Sequence, residues 1–246
     1  MIVDKERKVI FLHNPKCGGT FLRDIYIEKY GETEGTKWWG SFTPEYNTDL
    51  GHITYNDLSR FIPDWREYRI VVMVRNPYHR FYSAIKEVKS RLIGIKKIGF
   101  IKIYYAFVTK DGLRLKGKTA LFRSVCSGTY PYSLQKLFTV SAENCCKRIF
   151  SLKRSKQDLF IRNKSIPWLN PQSYFWGKEV EVFYYESESD WIKLLDIFGL
   201  SEYQSRLSIA KDYVIPNYMH AMIEKLYPED MELFLRYATP KITIKK

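Results

Sequence analysis

The stretch Val9-Ile10-Phe11-Leu12-His13-Asn14-Pro15-Lys16-Cys17-Gly18-Gly19-Thr20 decides the fold. A short apolar run with the character of a buried strand breaks into a loop. That loop delivers Gly18 and Gly19 to the start of a helix-like segment, Thr20 to Tyr30. A strand that feeds glycines into the first turn of a helix leaves backbone N–H groups pointing outward, and the helix dipole adds partial positive charge there. The natural guest is a phosphate or a sulfate. Lys16 stands before the glycines, whereas the nucleotide triphosphatase loop has four residues between its glycines and a Lys-Ser/Thr after them. The loop is of the phosphate-binding type without being the ATPase form.

Outward from the loop, Ile70 to Val74 and Val180 to Tyr184 read as two further buried strands, parallel to the first. Each is followed by helical periodicity, over Pro77 to Lys89 and over Asp190 to Phe198. Strand followed by helix, repeated, predicts a three-layer α/β/α unit around a central parallel sheet, with ligands at the carboxyl ends of the strands. Pro216 to Tyr237 reads as two helices broken at Pro228, with Glu229 and Asp230 complementing the second helix's dipole. No repeat, low-complexity tract or linker interrupts residues 1–246, which read as one domain.

A second anion motif follows the strand that ends at Val74: Arg75-Asn76-Pro77-Tyr78-His79-Arg80-Phe81-Tyr82-Ser83. Asn76 can cap the helix that Pro77 opens, which puts Arg75 at the strand's end beside a helix N-terminus. Arg80 and Ser83 are three apart, so they share a helix face and offer a guanidinium and a hydroxyl. Alone, the stretch also fits a surface salt bridge and a turn-filling serine. Arg80 fits equally a phosphate brace or a partner for an acid inside the fold.

Together the two stretches resemble the sulfotransferase family that uses 3′-phosphoadenosine 5′-phosphosulfate (PAPS). PKCGGT is similar to its 5′-phosphosulfate loop, and RNPYHRFYS to its 3′-phosphate motif. Gly51-His52-Ile53, Pro171-Gln172, Tyr184-Tyr185-Glu186 and Leu226-Tyr227-Pro228-Glu229-Asp230 with Leu233-Phe234 and Tyr237 agree with carbohydrate-type members. The likeness is dense at the donor site and thin from Lys89 to Pro167, where acceptor specificity is expected. The resemblance implies a P-loop-NTPase-like sulfotransferase fold. It also implies transfer of a sulfuryl group to a hydroxyl of a carbohydrate or glycan, with 3′-phosphoadenosine 5′-phosphate (PAP) as product and no metal.

On that reading the loop from Lys16 through Cys17, Gly18 and Gly19 to Thr20 cradles the 5′-phosphosulfate, and Lys16 meets charge developing on the bridging oxygen. Arg75 and Ser83, with Arg80, hold the 3′-phosphate. His52 takes the acceptor proton, Gln172 lies near the acceptor or donor edge, and His13 has the structural role of orienting the loop. His79 is expected to face solvent and His220 to lie on a late helix. Cys17 is also a thiol beside a lysine and a helix N-terminus, where its pKa would fall. A small space-filling residue is the reading preferred here, because no base stands beside it in the sequence.

Composition bounds the partners. The formal charge of +13 favours anionic ones, acidic acceptors included. The start of the chain has no signal-peptide pattern and no apolar run has the length of a membrane span, which predicts a cytoplasmic protein. The cysteines Cys17, Cys126, Cys145 and Cys146 have neither metal spacing nor a disulfide framework. Basic runs at Lys86 to Lys118 and Lys147 to Lys164, the first interleaved with Phe100, Tyr104, Tyr105 and Phe107, suit a polyanion-binding surface as well as solvated helix faces. Trp38, Trp39, Trp168 and Trp176 are either sugar-stacking or core residues. Competing functions are therefore a sulfotransferase acting on a small hydroxyl or amine metabolite, a nucleotide kinase, and a non-catalytic polyanion binder. The kinase needs a Lys-Ser/Thr that the loop lacks. The polyanion binder leaves both anion motifs unexplained, and nucleic acid is not the expected partner.

Overall fold

A computed structural model describes residues 1–36, 38, 42–43, 48–98, 141–162, 167–209 and 214–238. In chain order the elements are β1 (Ile2–Asp4), β2 (Val9–Leu12), α1 (Gly19–Tyr30), the short strands β3 (Phe42–Thr43) and β4 (Thr48–Asp49), and α2 (Leu58–Phe61). Then follow β5 (Arg69–Val74), α3 (Pro77–Ile98), α4 (Ala142–Phe150), α5 (Arg154–Ile161), β6 (Val180–Tyr184), α6 (Glu188–Ile197), α7 (Asn217–Leu226) and α8 (Pro228–Ala238). The expectations for Cys126, Trp39 and the aromatics Phe100 to Phe107 lie outside the described residues.

The main sheet has the order β1-β2-β5-β6. β2, β5 and β6 are parallel, and β1 returns antiparallel along β2. Strand side chains alternate faces, and both faces are covered. Ile10, Leu12, Ile70, Val72 and Val74 pack with Ile53, Leu58, Phe175 and Leu233. Their sequence neighbours Val9, Phe11, Val71 and Met73 pack on the other face with Leu22 and Ile25 of α1 and Trp191, Leu194 and Leu195 of α6. The chain is thus α/β, with a four-stranded, mostly parallel sheet between packed layers, as the strand and helix periodicities predict. A third core joins Phe81, Ala84 and Ile85 of α3 to Cys145, Cys146 and Ile149 of α4 and to Met219 and Ile223 of α7.

Local chemistry sets the boundaries. Asn76 Oδ1 accepts from the N–H groups of Tyr78 and His79, so it caps α3 as its position before Pro77 predicts. Ser187 Oγ caps α6 through Asp190 N. α3 extends beyond Lys89 to Ile98: Lys, Arg and Leu are good helix formers, no proline intervenes, and the single Gly94 is tolerated within the run. Among the described residues no helix is long and apolar enough to cross a membrane. Trp168 is a core residue at 4% exposure, while Trp38 and Trp176 are part-buried against the sheet's apolar face.

Candidate active site

The loop leaves β2 at Leu12, at the carboxyl end of the parallel strands. Lys16 (φ 66°) and Gly18 (φ 82°) both take left-handed backbone conformations. Glycine adopts this conformation without steric cost, but for lysine it costs roughly 1–2 kcal/mol. A non-glycine held there needs contacts that over-determine it. They are present: the Lys16 carbonyl accepts from Arg75 Nη1 at 3.3 Å, and the Pro15 carbonyl accepts from Arg80 Nε at 3.3 Å. Both arginines of the second motif are bonded to the backbone of the first.

α1 starts at Gly19 with no side-chain cap and no acidic residue in its first turn. By helix geometry the leading N–H groups lack intrahelical partners, so they remain donors for an anion. Thr20 is exposed there, and Gly19 is buried under His13. A Cβ on Gly19 would lie 2.1 Å from His13 Cδ2, and one on Gly18 would lie 2.5 Å from the Trp191 ring. The glycines are required by packing from below, which leaves the opposite side of the backbone for a ligand.

Beneath the loop lies Gln172, 1% exposed. Its Oε1 accepts from Asn14 Nδ2 (3.0 Å), Arg75 N (2.9 Å) and Cys17 Sγ (3.4 Å), while its Nε2 donates to the Arg75 carbonyl (2.8 Å). Gln172, expected near the acceptor or donor edge, is enclosed as a clamp between the loop and the end of β5. The Cys17 thiol points into the same interior. Burial pushes it up to about 12, outweighing the pull of Arg80 and Arg75, which favours the protonated thiol that donates to Gln172 Oε1.

Arg80 is 1% exposed. Its guanidinium reaches the Trp168 carbonyl at 3.3 Å and pairs with Asp230 of α8 at 3.9 Å. Burial raises the Asp230 carboxyl, Arg80 pulls it down, and Asp230 also accepts from Ser173 N at 3.0 Å. Of the two readings of Arg80, the structure holds the internal acid pair, with no guanidinium face turned outward for a 3′-phosphate.

Arg75 is 4% exposed, lies over the Tyr185 ring at 4.4 Å from its centroid, and approaches Glu186 at 3.8 Å. Ser83 is nearly buried, one turn along α3 from Arg80. A further turn on, Glu87 meets Lys16 Nζ at 3.1 Å, so the lysine stem runs along the α3 face that carries Ser83.

His52 sits beside the loop, its ring 4.4 Å from that of His13. Its Nδ1 is 2.9 Å from the His13 carbonyl. A carbonyl only accepts, so Nδ1 carries a proton at this contact and Nε2 is the ring nitrogen left to gain or lose one. His13 is held well below the usual histidine range, first by burial and then by the charge that a proton on His52 would add, by the amino terminus, and by Lys16 and Arg23. His79 is half-buried rather than solvent-facing, and His220 on α7 stacks on Tyr78 at 4.2 Å.

The expected residues Lys16, Gly18, Gly19, Thr20, Arg75, Ser83 and His52 therefore surround one loop at the strands' carboxyl ends, while Gln172, Arg80 and the Cys17 thiol lie beneath it. Sequence reasoning gave neither Glu87 nor Glu186 a role. Glu87 follows Ser83 by one turn and could have been found as the same helix face; Glu186 stands in the Tyr184-Tyr185-Glu186 stretch that carries the resemblance, where no contact to Arg75 is legible. Among the described residues no cluster of His, Cys, Asp or Glu forms a metal-holding group. No family model, no curated protein and no solved structure matches this chain.

Proposed function

We propose that the protein is a PAPS-dependent sulfotransferase of the sulfotransferase variant of the P-loop fold, acting on a hydroxyl of a carbohydrate acceptor. The observation that carries the reading is the pair of bonds from Arg75 and Arg80 to the carbonyls of Lys16 and Pro15. They make two motifs, far apart in sequence, one site at the carboxyl ends of β2 and β5. The donor chemistry of the loop fits such a ligand: helix N-terminal N–H groups, a lysine, and an arginine at the end of β5 with a serine on α3 as candidates for a second phosphate.

The donor supplies a sulfuryl group on a good leaving group. The protein's part is to align the reactants and to meet charge where it develops. His52 Nε2 accepts the acceptor's hydroxyl proton as the oxygen closes on sulfur, and the Nδ1–H bond to the His13 carbonyl keeps the ring oriented as it becomes an imidazolium. Lys16 faces the bridging oxygen as the S–O bond breaks. The N–H groups of Gly18, Gly19 and Thr20, with the Thr20 hydroxyl, hold the 5′-phosphate. Arg75 and Ser83 hold the 3′-phosphate.

Calorimetry with PAP, against ADP and magnesium ATP, tests the donor assignment. Binding that requires the 3′-phosphate and is lost in Arg75→Ala is the expected result. A preference for magnesium ATP would overturn it in favour of a kinase. Steeply salt-dependent polynucleotide binding without affinity for adenosine phosphates would return the protein to the polyanion binders.

A further inference from the structure

The cations assigned to the donor are already engaged by the protein's own carboxylates. Lys16 Nζ is 3.1 Å from Glu87 Oε2, with side chains 27% and 25% exposed. Arg75 Nε is 3.8 Å from Glu186 Oε1, with side chains 5% and 28% exposed. The two pairs adjoin, because Arg75 Nη1 also donates to the Lys16 carbonyl. Each carboxylate is part-exposed at the mouth of the site, and each belongs to an element other than the loop. Glu87 rides on α3, and Glu186 follows β6, where its Oε1 accepts from Asn76 N at 3.0 Å. A third pair, Arg80 with Asp230, is 1% exposed on both sides and out of any ligand's reach.

We propose that Glu87 and Glu186 are resident competitors: each occupies the cation that one end of the donor must reach, which limits nucleotide affinity and returns to its cation as the product leaves. The inference rests on the sulfotransferase reading for the ligand's identity, and on geometry alone for the competition. An anion gains at these cations only the difference between its own contacts and those of the carboxylate it replaces. A phosphate, with more acceptor oxygens and more charge, wins that exchange, but by less than it would over a bare cation. The benefit falls on release. A product that keeps both phosphates would otherwise hold the site, and a carboxylate waiting beside each cation lowers the barrier to letting go. Glu87 opposes whatever binds Lys16, and Glu186 opposes only what reaches Arg75.

That division of labour gives the test. Glu87→Gln and Glu186→Gln keep side-chain shape and, at Glu186, the acceptor for Asn76 N; thermal melts confirm folding. PAP and AMP share the 5′-phosphate and differ at the 3′ position. Glu87→Gln is expected to tighten both by about threefold to fivefold, the size of a part-exposed ion pair. Glu186→Gln is expected to tighten PAP by about tenfold, since Arg75 is nearly buried, and to leave AMP unchanged. Stopped-flow displacement should show slower PAP release in both. Equal or weaker PAP binding in the folded variants overturns the proposal.

Acylation of Lys16 by an amine-reactive ester, followed by peptide mass spectrometry, needs no nucleotide. It should run faster in Glu87→Gln and be slowed by inorganic pyrophosphate in both proteins. An unchanged rate overturns the role of Glu87. A faster rate with pyrophosphate protection, in a protein that binds no adenosine phosphate, sustains the competition and removes the sulfotransferase reading.

Discussion

The two sides of the anion loop are held by opposite means. Its underside rests on Gln172, Arg80, Asp230 and the His13 ring, all at most 4% exposed: Arg80 bonds the loop backbone and pairs with Asp230, Gln172 holds the Asn14 and Cys17 side chains, and the His13 ring packs under Gly19. Its mouth carries Lys16, Thr20 and the carboxylates Glu87 and Glu186, part-exposed or exposed, whose pairs water and ligands can exchange. Buried ion pairs contribute little net stability when made and cost much when half-broken, whereas exposed pairs are nearly neutral either way. The underside therefore fixes geometry, and the mouth is free to change partners.

Removing half of a buried pair should break the comparison most severely. Asp230→Ala strands the Arg80 guanidinium and is expected to cost about 3–5 kcal/mol in urea unfolding. A loss below about 1 kcal/mol would mean that water reaches Arg80 and that the underside resembles the mouth. Gly19→Ala pushes a methyl into His13, whose ring is boxed in by Phe11 and His52, so overpacking of roughly 1–3 kcal/mol is expected together with weaker anion binding.

The third measurement uses pH. Unfolded His13 takes a proton below about pH 6.5, while the buried ring stays neutral to a lower pH. The unfolded state then binds more protons, so stability falls as pH drops through and below that value. The melting temperature should decline from pH 7 to pH 5 in the parent protein and less steeply in His13→Gln. Equal slopes would place the acid sensitivity elsewhere. The smallest effect on stability is expected at the mouth. Lys16→Ala should change unfolding by no more than about 1 kcal/mol; on the proposed function it should also abolish sulfuryl transfer, because that function places its charge where the leaving group departs. Full residual turnover would sink that role.

This contrast also separates what the sequence discloses from what it hides. β2 and β5 are visible because strands buried on both faces are near-continuous apolar runs, β6 because its valines and aromatics outweigh the exposed Glu181, and α3 because Asn76-Pro77 is a local start signal. β1 escapes notice: Ile2-Val3-Asp4 is too short to show a period and gains strand character only by pairing with β2. The mouth of the loop is legible since Lys16, Gly18, Gly19 and Thr20 are sequence neighbours. The underside is not. Gln172 lies 158 positions from Asn14, and nothing near Arg80 in the chain announces Asp230. A side chain's role as clamp depends on which distant backbone groups it meets, and that is settled by packing rather than by local pattern.

The clamp has a consequence for the order of events during synthesis. The loop emerges among the first twenty residues, but Gln172 and then Asp230 must be made before its floor exists. Contacts of such span form late, after the long intervening segments have closed on themselves. A nascent chain thus displays an apolar strand and a glycine-rich turn for most of its translation time, with its floor unmade. Among the described helices it is α8 that brings Asp230 to Arg80 and completes that floor. A ribosome paused after α7 would hold a chain whose strands are all made and whose loop still lacks that support.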